Sequence, residues 1–158
     1  MGIRKTFDDM ADRYQYRGDA HPVLNDKYGF GEVWLSVAFV DLNQGGDTFW
    51  LIANRKANDW HWIEDASFIL LIDGQRFNGV GAVRDSEVTQ EAAWFDTKVL
   101  CNEEIHCGGD IEILRLLAGC QSAKFRLRDV DFVLPAGLIA DVKEIVSDLD
   151  ATGGYGND

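Results

Sequence analysis

Residues 32–42, EVWLSVAFVDL, place apolar side chains on both alternating faces, which predicts a central strand covered on two sides. NQGG (43–46) supplies turn chemistry, and DTFWLIAN (47–54) follows as the hairpin partner. SFILLI (67–72) is a second continuous apolar run. Asp73-Gly74 then tolerates the positive φ of a two-residue turn. The register set by that turn opposes Leu70 to Phe77 and Phe68 to Gly79 in the returning strand QRFNGVGAV (75–83). Gly79 and Gly81 mark a bulge or a close backbone approach. In EAAWFDTKVLC (91–101), Phe95, Val99 and Cys101 share one face and Trp94, Asp96 and Lys98 the other.

The period changes near residue 110. Asp110 is placed to cap a helix with the apolar stripe Ile111, Leu114, Leu117 and Ala118, and Gly119 suits its end. AKFRLR (123–128) alternates again, and DFVLP (131–135) follows as its partner. Leu138, Val142, Ile145, Val146 and Leu149 recur at helical spacing, with Asp141, Glu144 and Asp148 on the expected wet side. The first 30 residues are weakly patterned. Phe7, Met10, Ala11 and Tyr14 suggest a short helix, and Gly18 to Gly31 reads as a loop.

Strands followed by segregated helices argue for an α+β fold. The expected architecture is a mostly antiparallel curved sheet of about seven strands. Two helices fall in the C-terminal half, the last packed on the sheet. The expected organisation is a polar, partly irregular segment (1–30), one α+β domain (31–152) and a flexible tail (153–158).

Composition changes this picture in three ways. A chain of 158 residues can close a core without a metal or disulfide staple. No apolar run approaches a membrane span, and three cysteines without an export signal argue for a reducing, cytoplasmic setting. Five acids balance five bases in residues 1–30, so the whole net charge of −12 falls in residues 31–158. Such a body disfavours nucleic acid and favours a basic protein partner.

The densest chemical stretch is NDWHWIED (58–65). In an extended segment Trp60 and Trp62 share one face and His61 takes the other. A catalytic reading makes His61 the acid/base with Asp59 as its carboxylate. A binding reading lines a cleft with Trp60, Trp62 and Trp94, with Arg126 or Arg128 as the anion anchor. The bland alternative packs the indoles over a sheet edge. In CNEEIHCGGD (101–110), Cys101, His106 and Cys107 are weak metal candidates, because five residues separate the cysteines and no second Cys/His pair follows. Cys107 with His106 as base is a further candidate, and a βα loop is the plain reading. Lys124, Arg126 and Arg128 form a basic stripe opposite Phe125 and Leu127.

No phosphate-binding loop, dinucleotide fingerprint, nucleophile elbow or zinc-protease helix is present. The expectation is therefore a small, soluble, acidic binding or protein-interaction module without catalysis and without a cofactor. Its expected partner is a second copy, as a homodimer, or a basic protein, with neither nucleic acid nor membrane. The alternative is a small-molecule-binding protein or enzyme with an aromatic-lined cleft around Trp60 and Trp62.

Overall fold

The long apolar runs become the central strands of two antiparallel sheets. The structure is a computed structural model and describes residues 2–9, 13–26, 29–42, 48–92 and 97–151. In chain order these residues form β1 (Arg4–Asp8), β2 (Arg13–Arg17), β3 (His21–Asp26), β4 (Gly31–Leu42), β5 (Thr48–Ala57), β6 (Ser67–Ile72), β7 (Gln75–Val80), β8 (Ala82–Ala92), β9 (Thr97–Gly109), α1 (Ile111–Ala118), β10 (Ala123–Leu127), β11 (Val130–Val133) and α2 (Ala136–Ala151). The larger sheet runs β1-β2-β4-β5-β9-β8, and β3 pairs with β4 beyond the end of β2. The smaller sheet runs β11-β10-β6-β7. The fold is α+β, with both helices in the C-terminal half and α2 packed on the large sheet.

Two-residue periodicity decides which side of each strand enters the core. Val33, Leu35, Val37 and Phe39 of β4 are fully buried and lie on one face. They share a single core with Phe68 and Leu70 of the small sheet, Leu114 and Leu117 of α1, and Leu138 and Val142 of α2. The β6–β7 register is the expected one, with Leu70 opposite Phe77 and Phe68 opposite Gly79. Glycine is required there: a Cβ on Gly79 would lie 2.6 Å from the Phe68 ring. Asp73 and Gly74 adopt φ of 47° and 86°, as the two-residue turn demands. Asp110 caps α1 by accepting from the backbone N–H of Ile113, and Gly119 ends it.

The N-terminal segment departs from its expected helix. Phe7 and Tyr14, read as neighbours along a helix, instead face each other across the β1–β2 hairpin, with ring centroids 4.8 Å apart. Part of the expected loop is the strand β3. The stretch 101–109, expected as a βα loop, is the second half of β9. The expected turn at 43–46, Trp94 with its neighbours Phe95 and Asp96, and the expected tail lie outside the described residues.

The N-terminal strands also reassign the wet side of α2. Asp141 is buried and bonds the His21 imidazole of β3 at 2.8 Å. Asp148 accepts from the Lys5 ammonium at 2.8 Å and from the Tyr16 hydroxyl at 2.7 Å. Burial, with the bond to Asp148 adding to it, pushes the Tyr16 phenol up to about 12. The Lys5 and Tyr16 bonds hold the Asp148 carboxyl below its usual value. A carboxylate depressed in the folded state stabilises above the unfolded carboxylate range, and the effect fades as pH falls through its lowered pKa. Asp148→Asn should therefore be less stable than wild type at neutral pH. The gap should close below about pH 4, where carboxylates protonate; urea midpoints recorded across pH 2–7 measure it.

Candidate functional site

NDWHWIED is not an extended strand; it bends around a buried ion pair. Arg55 of β5 and Glu103 of β9 are cross-strand partners on the core face, 2% and 1% exposed. Arg55 Nη1 donates to Glu103 Oε2 at 2.8 Å. Arg55 also donates from Nε to the Phe30 carbonyl, from Nη1 to the Asp59 carbonyl and from Nη2 to the Asp59 carboxylate, at 3.0, 2.9 and 2.6 Å. The Phe30 ring covers its guanidinium at 4.2 Å. Glu103 Oε1 in turn accepts from three consecutive backbone N–H groups, those of His61, Trp62 and Ile63, at 3.1, 2.7 and 3.1 Å. Successive N–H groups converging on one oxygen form an anion nest, and here the anion is the protein's own carboxylate.

This scaffold separates the residues that the sequence crowds together. Trp62 is fully buried in the core, against Phe30 and Phe132, while Trp60 is partly exposed. The two indoles therefore do not share a face, because the chain bends between them to wrap Glu103. Asp59, the expected partner of His61, is committed to Arg55. The His61 ring bonds Asp129 at 2.6 Å instead and meets the edge of Phe30. That bond holds the Asp129 carboxyl below its usual value. Arg128 donates to the His61 carbonyl. Arg126 pairs with Asp131 through two nitrogens beside a small groove of about 120 Å³ over Ile69 and Leu71. Arg126 and Arg128 of the basic stripe are thus engaged with Asp131 and the His61 carbonyl, while Trp60 and Trp62 differ in burial.

The candidate ligands on β9 are divided by strand parity. Cys101 and Cys107 turn to the core, whereas His106 lies on the opposite face and bonds Glu104 at 2.7 Å. Burial raises both thiols, Cys107 to about 12, which keeps it protonated and weakly nucleophilic. Among the described residues no group of three or more His, Cys, Asp or Glu is arranged to hold a metal ion.

A different site emerges on the outer face of the large sheet. The register aligns Arg4, Arg17, Ala38, Trp50 and Gly108 in one row across β1, β2, β4, β5 and β9. Thr6, Gln15, Val40 and Thr48 make the next row. A concavity of about 700 Å³ opens over these rows, and Arg13, Arg84 and His106 also line it. Gly108 gives the Trp50 indole room: a Cβ there would lie 2.8 Å from the ring. Arg84 reaches back from β8, at the far side of β9, to place its guanidinium 5.6 Å from the indole centroid. Asp8 pairs loosely with Arg13 at 3.8 Å, and among the described residues Arg4, Arg17 and Arg84 form no ion pair. Residues from five strands thus place four guanidiniums around a floor of Ala38, Val40 and Thr48.

No protein-family model, curated protein or solved structure matches the chain. Fold and site together define a class: an α+β domain carrying a basic, tryptophan-walled concavity on the face of its large sheet opposite the main core. Among the described residues no helix is long and apolar enough to cross a membrane.

The buried pair yields a direct expectation. Arg55→Met strands the Glu103 carboxylate and should cost about 3–5 kcal/mol in urea unfolding, and Glu103→Leu a similar amount. The double variant should lose clearly less than the two single losses combined, since each single change already leaves the other charge uncompensated.

Proposed function

We propose that this protein is a non-catalytic binding module whose ligand is an anion held on the arginine-lined face of the large sheet. The observation that carries the proposal is charge placement. In a chain of net charge −12, four guanidiniums surround one concavity, and three of them have no carboxylate partner among the described residues. Unpaired like charges repel, so such a grouping costs stability unless something offsets it. A bound anion does so, and arginine forks suit carboxylate and phosphate oxygens.

Net charge alone favoured a basic partner. A ligand, however, responds to charge within about one Debye length, roughly 8 Å at physiological salt. Over that distance the concavity presents four arginines, with Asp8 and Glu104 at its rim. The small-molecule alternative expected around Trp60 and Trp62 gains support only after it is moved to Trp50. The residues grouped here favour binding over catalysis: arginines, an indole, small floor side chains and a histidine already bonded to Glu104. Three free cysteines fit a cytoplasmic setting for this module.

Titration calorimetry with inorganic pyrophosphate tests the proposal. Wild type should bind saturably, one to one, and more weakly as salt rises. Arg4→Gln/Arg17→Gln should lower affinity at least about tenfold, since each lost charged hydrogen bond is worth about 1.5–3 kcal/mol. Its melting temperature should not fall below that of wild type, because among the described residues neither arginine holds an ion pair. A flat pyrophosphate titration at low salt would sink the proposal.

A further inference from the structure

We infer that the anion on this face is a nucleoside triphosphate, with its base on the shelf between Arg17 and Trp50 and its phosphates among Arg4, Arg17 and Arg84. This inference rests on the anion-binding reading and adds the organic part of the ligand.

Three features carry it. The first is the shape of the row. Arg17 and Trp50 lie two strands apart, on backbones separated by about 10 Å, with only Ala38 between them. The indole leans over Gly108, on the side away from Ala38, so the shelf over Ala38 stays open. A flat ring lying there meets the indole on one side and a guanidinium on the other. Both surfaces favour aromatic rings: indoles stack on bases, and guanidiniums stack on aromatic faces. An inorganic anion would leave this apolar shelf unused.

The second feature is charge. Three guanidiniums without carboxylate partners among the described residues, with Arg13 beside them, match a ligand bearing three to four negative charges. A monocarboxylate would leave most of them uncompensated. A concavity of about 700 Å³ lies within the range of pockets that enclose small organic ligands.

The third feature limits the ligand's length. Along β9 the sheet turns acidic two residues from His106. Glu104 of β9 stands opposite Asp85 of β8, and Glu87 follows two residues further along β8. A single-stranded nucleic acid running from the concavity along β9 would carry its next phosphates onto these carboxylates. A single nucleotide ends before them.

The test measures binding of ATP, tripolyphosphate and a ten-residue oligouridylate to the full chain, without divalent ions. Tripolyphosphate carries the phosphate charge and lacks the base. ATP should bind at least about tenfold tighter, the scale of one base–indole stack. Trp50→Leu should bring ATP affinity down to that of tripolyphosphate measured on the same variant. Should Trp50→Leu fail to fold, 5-fluorotryptophan NMR of wild type gives the same readout: ATP, but not tripolyphosphate, should shift the Trp50 resonance, assigned with Trp50→Phe. Equal binding of ATP and tripolyphosphate, with no response from Trp50, overturns the nucleotide and leaves the anion site standing. Absence of binding by all three probes overturns the anion-binding reading as well. Displacement of ATP by oligouridylate at a far lower nucleotide concentration overturns the single nucleotide in favour of a strand.

Discussion

The Arg55–Glu103 pair is the constraint on which the centre of this fold depends. Two opposite charges on the core face of adjacent central strands can remain buried only if their remaining donors and acceptors are also satisfied. The chain meets that demand by bending residues 58–65 around the pair. Three backbone N–H groups go to Glu103, and the carbonyl and carboxylate of Asp59 go to Arg55. Trp62 is drawn into the core by the same bend. The loop that leads from the large sheet to the small one is therefore set by hydrogen bonding as much as by apolar burial.

That arrangement also divides the large sheet into two chemical surfaces. The core face carries the fully compensated Arg55–Glu103 pair among apolar side chains. On the outer face, Arg4, Arg17 and Arg84 have no carboxylate partner among the described residues, while Glu104 and Asp85 lie along β9 and β8. The difference is physical. Charges inside had to be paired for the chain to fold, whereas charges outside are solvated and need no partner for stability.

The strand-rich α+β class, the β6–β7 register, the cap of α1 and the apolar stripe of α2 were legible in the sequence because each is a local, periodic signal. The N-terminal hairpin was not. Phe7 and Tyr14 are seven residues apart, a spacing that suits two turns of a helix as well as the two arms of a hairpin, and only the pairing of β2 with β4 decides between them. Asp141 was assigned to water because helical periodicity cannot reveal that β3 lies over that side of α2. Parity served better on β9, where it divides Cys101 and Cys107 from His106 once the stretch is known to be a strand.

The two candidate regions fail and succeed as sequence signals for opposite reasons. NDWHWIED concentrates Trp, His and carboxylates within eight residues, yet its density reflects the needs of one buried pair: Asp59 caps Arg55, Trp62 fills the core, and the backbone of His61 serves Glu103. The outer-face site has no density at all. Arg4, Arg17, Trp50 and Arg84 are spread over 80 residues, and the small residues that make the shelf, Ala38 and Gly108, carry no chemical signature. They form a site only because strand pairing sets them in one row and the chain at Arg84 reaches back across β9. In a sheet, a ligand surface runs perpendicular to the strands, so its residues come one from each strand and are distant in sequence by construction. Clustering along the chain is therefore a poor guide to candidate binding surfaces in this fold, and cross-strand register is the better one.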